Sequence, residues 1–170
     1  IGNIKTAIEF FVNWDVDEIV VIDITASKED RSPNLDLIDW ASSECFVPLT
    51  VGGGIRDTQD IKGLINSGAD KVCINSIVRK NPDIINESSE IFGSQCITVS
   101  LDVIFYDNKH YIYDYQNRNT IDTNLEEFIL DIQDRGCGEI FLNSVDRDGS
   151  RKGYDIEVIN TINNIAKIPV

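Results

Sequence analysis

The sequence predicts an α/β fold of the (β/α)8 TIM-barrel type, incomplete in this chain, and three observations predict it. Short apolar runs alternate with helical segments in a strand–loop–helix beat of roughly 25–45 residues, the signature of parallel strands joined by helical crossovers. The units echo one another: Val16-Asp17-Glu18-Ile19, Ala69-Asp70-Lys71-Val72 and Cys137-Gly138-Glu139-Ile140 each set a charged residue at the start of a strand, and Val47-Pro48-Leu49 matches Ile168-Pro169-Val170. The rival architecture, an open Rossmann-like sheet, would carry a G-x-G-x-x-G after its first strand, and none is present. About six strands and the start of a seventh are expected, where a barrel needs eight. One strand is therefore expected before Ile1 and more after Val170. The absence of any methionine, even at position 1, fits a chain cut from something longer, and residues 1–170 alone are expected to be inactive.

Each element has its own signal. Residues 4–14 place Ala7, Ile8, Phe11 and Val12 on one helical face. Residues 18–24 are a continuous apolar run, as in a strand buried on both faces. A helix over 34–44 leads to a strand at 48–51, closed by Gly52-Gly53-Gly54. Asp57 is an N-cap for a helix over 58–67, which Gly68 stops. A strand at 71–75 precedes Asn81-Pro82, which opens a helix with Pro at its first position. After the strand at 96–103 the beat breaks. Phe105, Tyr111, Tyr113 and Tyr115 flank Asp107-Asn108-Lys109, which predicts a β-hairpin insertion near 104–118. A helix over 123–135 ends at Gly136, a strand covers 139–145, and a helix covers 154–165. No Pro/Gly/Ser-rich linker divides the chain, so residues 1–170 are expected to form one partial-barrel domain.

Composition narrows the function. Lys and Arg number 15 against 29 Asp and Glu, a formal net charge of -14, which argues against a broad nucleic-acid surface. A small anion remains possible, because backbone N–H groups can hold one locally. No apolar run approaches the roughly 18 residues of a membrane span, and no basic-then-apolar leader opens the chain. Cys45, Cys73, Cys96 and Cys137 lie far apart without a C-x-x-C pair, mostly within or beside apolar runs, as small buried hydrophobes do. A reducing cytoplasm fits, and a transition-metal site is not expected from one histidine and scattered cysteines.

In a (β/α) barrel the working residues sit at the C-terminal ends of strands. That selects Asp23, Thr25 and Ser27, the glycines at 52–54, Asn75-Ser76, Asp102, Asn143-Ser144 and the loop 146–150. Three glycines after an apolar strand allow close approach of an anion to backbone N–H groups, or make a tight turn and nothing more. Asn75-Ser76 could add donors to the same phosphate site. Asp148-Gly149-Ser150 could form a second nest, or be an ordinary polar loop. Asp102 closes a central strand, where one-sided desolvation suits a carboxylate to acid/base work; the alternative is a loop cap or a salt bridge. On the desolvation argument its neutralisation should leave the melting temperature unchanged or raise it. Asp23 has the same placement. His110 is expected to be a solvated loop residue, and Trp14 and Trp40 to pack on the helical exterior.

With these motifs assembled, the chain resembles the cyclase subunit of imidazole glycerol phosphate synthase (HisF-type) along essentially its whole length. The resemblance is carried by Asp23-Ile24-Thr25-Ala26-Ser27, Val51-Gly52-Gly53-Gly54-Ile55, Gly68-Ala69-Asp70-Lys71-Val72 with Asn75, Phe92-Gly93-Ser94-Gln95, Arg118-Asn119-Thr120, and Asp146-Arg147-Asp148-Gly149-Ser150 leading to Gly153-Tyr154-Asp155. It implies a (β/α)8 barrel in a heterodimer with a glutaminase subunit that supplies ammonia. The barrel converts a bis-phosphorylated phosphoribulosyl-formimino aminoimidazole carboxamide ribonucleotide to imidazole glycerol phosphate and aminoimidazole carboxamide ribotide, with no metal or organic cofactor. Two aspartates act as general acid and base in the family. One matches Asp102, and the other belongs to a first strand that would precede Ile1. Asp23, Thr25, Gly53, Gly54, Asn75, Ser76 and Asn143 are implied in substrate or phosphate binding, with Asp148 and Gly149 in the second phosphate site. Glu18, Lys71 and Glu139 match members of a charged ring where ammonia enters.

Some residues depart from the histidine-pathway pattern. Asn143 stands where Thr is usual, and Gln116-Asn117 and Ile121 replace a Gly-containing loop around Arg118-Asn119-Thr120. The stretches 42–46 and 100–103 look more like a paralogue found with surface-glycan genes, which supplies ammonia to amidate a sugar. A catalytically silent docking barrel is the third alternative, and an intact Asp102 counts against it.

Overall fold

A computed structural model describes residues 3–29 and 31–170. In the first part of the chain, α1 (Ile4–Val12) leads to β1 (Ile19–Ile22), α2 (Leu35–Glu44), β2 (Leu49–Gly52), α3 (Thr58–Asn66) and β3 (Lys71–Ile74). The three strands pair in parallel, with Ile19 opposite Leu49 and Thr50 opposite Lys71. Parallel neighbours require a crossover, and α2 and α3 supply it. Both helices have side-chain caps: Asn34 Oδ1 accepts from Leu37 N, and Asp57 Oδ1 accepts from Gln59 N and Asp60 N. Gly68, at φ +94°, ends the α3 segment as expected. Ile38, Ala41, Leu49, Val51, Ile61, Leu64, Val72 and Ile74 form the buried core. α1 stops at Val12, so Trp14 lies beyond the helix, 68% exposed and beside Phe10, rather than packed on an exterior layer. Trp40 lies on α2 with Lys5 Nζ 4.6 Å from its ring centre.

Contacts divide the chain between Ile74 and Asn75. The second unit contains α4 (Ser76–Lys80), α5 (Asp83–Phe92), β4 (Ile97–Tyr106), β5 (Lys109–Asp114), β6 (Asn119–Ile121), α6 (Leu125–Asp134), β7 (Glu139–Ser144) and α7 (Ile156–Ile165). β4 and β7 pair in parallel from Thr98–Glu139 to Val103–Ser144. Alternation along β4 buries Ile97, Val99, Leu101 and Val103 against one side, and Ile84, Ile85, Ile129, Ile132, Ile140, Val158 and Ile162 complete this core.

The interruption of the beat is larger than a hairpin. β4 runs past its parallel partner into an antiparallel pairing with β5, and β5 pairs with β6, so the excursion extends to Ile121. Asp107 and Asn108 both take positive φ, 49° and 60°, as a two-residue type I′ turn requires. Seven strands are present among the described residues, against the expected six and the start of a seventh. Two of them, β5 and β6, belong to the excursion, so five carry the βα beat. Ile168–Val170 is not a regular strand, although Ile140 N donates to Pro169 O at 2.9 Å. Sequence reading also misses α4, a single short helix inserted before Asn81-Pro82. Pro82 sits at the N-cap of α5, one position earlier than expected, with φ −65° and ψ −20°.

Candidate active site

Asp102 and Asn143 are register partners across the parallel β4–β7 pair, so their side chains stand side by side on one face. Asn143 Nδ2 donates to Asp102 Oδ1 at 2.9 Å, and Asn75 Nδ2 donates to Asp102 Oδ2 at 2.8 Å. Each carboxylate oxygen thus accepts one amide N–H and keeps lone-pair capacity for a proton or a substrate donor. Asp102 is half-buried, neither a surface group nor sealed from a ligand. The salt-bridge alternative is not realised among the described residues, since Asp102's partners are amides.

Asn75 is occupied at both ends. Its Oδ1 accepts from Arg79 Nη1 at 2.8 Å, and Arg79 Nη2 lies 3.1 Å from Asp114 Oδ1. Asp114 in turn accepts from Gln116 N, Asn117 N and Asn117 Nδ2 at 2.8, 3.1 and 2.9 Å. Burial pushes the Asp114 carboxyl up, but Asn117 and Arg79 outweigh it and hold it below the usual carboxylate range. Ser76 opens α4 directly after Asn75.

In the first unit, Asp23 follows β1 and spends its carboxylate on its own loop. Oδ1 accepts from Thr25 N, Thr25 Oγ1 and Ala26 N, each at 3.1 Å, and Arg31 Nη2 lies 2.7 Å from Oδ2. Burial raises the Asp23 pKa, but the Arg31 and Thr25 donors outweigh it and lower it overall. Gly53 and Gly54 take φ +99° and +72°, and a side chain at Gly53 would overlap the Asp23 backbone. The Gly54 N–H points at Ser27 Oγ, 3.3 Å away. A cleft beside this loop is lined by Asp23, Ile24, Pro33, Asn34, Gly52 and Gly53.

At the opposite ends of the same strands, Glu18 Oε2 lies 3.1 Å from Lys71 Nζ, and Thr50 Oγ1 donates to Glu18 Oε1 at 2.5 Å. In the second unit, Thr98 Oγ1 donates to Glu139 Oε2 at 3.3 Å. Asp148 and Gly149 lie on the exposed loop after β7; Asp148 N donates to Ser144 O, and Gly149 takes φ +67° with open space where a side chain would be.

His110 overturns the expectation of a solvated loop residue. It is on β5, its side chain is only 9% exposed, and it faces Asp155, the cap of α7. Sequence reading also passed over Arg79 and Asp114. The available signals were the i,i+4 spacing of Asn75 and Arg79 and the Asp-x-x-Asn turn at 114–117. Cys45, Cys96 and Cys137 are free thiols, and burial pushes Cys137 up to about 11, which leaves it protonated and unreactive at neutral pH. Among the described residues, no group of three or more His, Cys, Asp or Glu is placed to hold a metal ion.

Polar groups at the C-terminal ends of parallel strands, with glycine-bearing loops beyond them, are the strand-end arrangement at which parallel α/β proteins bind ligands. The family model described as "Histidine biosynthesis protein" matches residues 1–170, and the chain belongs to that family, with the incomplete (β/α)8 fold class that this implies. Over 170 residues it is 55% identical to "Putative imidazole glycerol phosphate synthase subunit hisF2" of Vibrio vulnificus, covering all of this chain and 62% of that protein. It is 40% identical over 171 residues to the imidazole glycerol phosphate synthase subunit HisF of Dictyoglomus thermophilum, covering 68% of that protein. The HisF subunit of an Exiguobacterium strain is 37% identical over 170 residues, with 67% of it covered. The chain therefore spans about two thirds of the length of these relatives.

Proposed function

We propose that the protein to which this chain belongs is the ammonia-using cyclase subunit of an imidazole glycerol phosphate synthase, with Asp102 as one of its two acid/base groups. The observation that carries this reading is the Asp102 carboxylate, aimed by two amide donors and left with free lone pairs. In this reading Asp102 exchanges a proton with the bis-phosphorylated ribonucleotide as ammonia adds and the imidazole closes. Asn143 and Asn75 hold the carboxylate still, so its reorganisation does not add to the barrier. Gly53, Gly54 and Ser76 bind one substrate phosphate, Asp148 and Gly149 contribute to the other, and Asp23 with Thr25 shapes the loop over the first. A glutaminase subunit delivers ammonia past Glu18, Lys71 and Glu139, and the complex works in a reducing cytoplasm without metal or organic cofactor.

A second reading keeps the barrel and the ammonia but exchanges the acceptor for a sugar in a surface-glycan pathway. Asn143 favours it, because the residue that departs from the histidine-pathway pattern is the one that grips Asp102. Incubating the full-length protein with the bis-phosphorylated ribonucleotide and ammonium separates the two. Formation of imidazole glycerol phosphate supports the first reading. No turnover by a folded protein removes it.

A further inference from the structure

We infer that Arg79, held by Asp114, is a positioning residue for Asp102, acting through the side-chain amide of Asn75; this rests on the acid/base reading of Asp102 given above. The two ends of an Asn amide have nearly the same shape but opposite hydrogen-bonding character. Packing alone hardly chooses between them. A guanidinium has five donors and no acceptor, so it can face only the oxygen end of the amide. Arg79 Nη1, 2.8 Å from Asn75 Oδ1, therefore fixes which way the amide is turned. The NH2 end is left facing Asp102 Oδ2 at 2.8 Å. Asp102, an acceptor, favours the same orientation from the other side; without Arg79 the amide is held from one side only and can swing away from the carboxylate.

Asp114 completes the device. Its side chain is 11% exposed, it lies 3.1 Å from Arg79 Nη2, and the turn at Gln116-Asn117 fixes it from behind. The line of contacts runs from β5 through α4 to the strand ends of β4 and β7. A simple staple between α4 and the excursion needs only the Arg79–Asp114 pair. The second guanidinium nitrogen on Asn75 adds nothing to a staple, and it is the contact that reaches the site. The β4–β5–β6 excursion thereby acts as a brace behind the strand that carries Asp102.

The test uses the full-length protein, ammonium and the bis-phosphorylated ribonucleotide. Arg79→Ala is expected to lower kcat about tenfold with KM changed less than about twofold, the pattern for loss of a transition-state interaction. Arg79→Lys, which keeps one donor, should recover part of it. In an Asn75→Ala background, Arg79→Ala should cost nothing further in kcat, because its route to Asp102 is gone. An equal kcat loss in both backgrounds, or a lowered melting temperature with unchanged kcat, overturns the inference. If the wild-type protein does not turn over this substrate, the functional reading has failed, and the positioning claim is read from the Asn75 side-chain amide signals by NMR. Signals that shift and lose exchange protection in Arg79→Ala support it; unchanged signals overturn it.

Discussion

His110 Nε2 lies 3.0 Å from Asp155 Oδ2, with side chains 9% and 5% exposed, and this contact ties the excursion to the start of α7. Asp155 also accepts from Val158 N, with Ser144 Oγ 3.4 Å and Arg147 Nε 4.0 Å away. A carboxylate this buried depends on its partners. His110→Ala is expected to cost about 1–3 kcal/mol, the usual penalty for a buried polar group losing a partner. Urea unfolding at neutral pH measures it. A variant as stable as the parent would mean that water or Arg147 replaces the imidazole at no cost.

The acid limb of stability follows from three carboxylates. Burial pushes each of Asp23, Asp114 and Asp155 up, and nearby donors more than reverse it, so each titrates below the ordinary carboxylate range. As pH falls, the unfolded chain therefore takes up these protons first. The stability they contribute is fully present above the unfolded value of about 4 and is lost as pH drops through the lower folded values. Acid also relieves the self-repulsion of a chain carrying a net charge of -14, which acts in the opposite direction. A variant comparison isolates the first effect. The melting temperature of Asp114→Asn should be lower than the parent's near pH 6, and the gap should close towards pH 3. A gap that persists unchanged at pH 3 contradicts the assignment.

Asp102→Asn in the full-length protein is expected to remove nearly all ammonia-dependent turnover, on the order of 10²–10⁴-fold for an acid/base group. Its stability effect has the opposite sign from the one desolvation alone suggests. The new side chain keeps one acceptor and turns an NH2 towards one of two NH2 donors, from Asn75 or Asn143. One part-buried donor then loses its partner, so the melting temperature should fall slightly, corresponding to about 1 kcal/mol or less, since water can reach it. Near-normal turnover would end the acid/base assignment.

The βα beat was legible because parallel strands write continuous apolar runs, and because caps such as Asp57 and stops such as Gly68 act locally. β1 is nevertheless not buried on both faces as expected, with Val20 and Ile22 each 38% exposed. The strand-end rule then picked out Asp102, Asn75 and Asn143. Their mutual contacts were not legible, because Asn75, Asp102 and Asn143 lie far apart in sequence and meet only through tertiary structure such as the β4–β7 pairing. α4 was missed since one turn of helix is too short to show a period. His110 was misjudged for a related reason. A residue two positions beyond an exposed turn reads as solvated until Asp155, 45 residues away, is brought against it. Arg79 and Asp114 look like ordinary surface charges, and only the path of β5 beside α4 gives them a role.

Lys71 tests the ammonia route. It opens β3, and its Nζ lies 3.1 Å from Glu18 Oε2, just before β1, while Thr50 of the intervening strand occupies the other Glu18 oxygen. Both charged side chains are partly exposed, 23% for Lys71 and 30% for Glu18. Pairs of this kind contribute roughly 0–1 kcal/mol, so the fold has little need of it. If the strand-start charges govern passage of ammonia, Lys71→Ala in the full-length protein should leave stability and ammonium-driven turnover close to the parent's. Glutamine-driven turnover with the glutaminase subunit should change, because ammonia released by the partner must pass this point and ammonium added to solution need not. A silent docking barrel would show no ammonium-driven turnover in either form. Equal loss of both rates would point to damage of the β1–β2–β3 edge itself and remove Lys71 from the route.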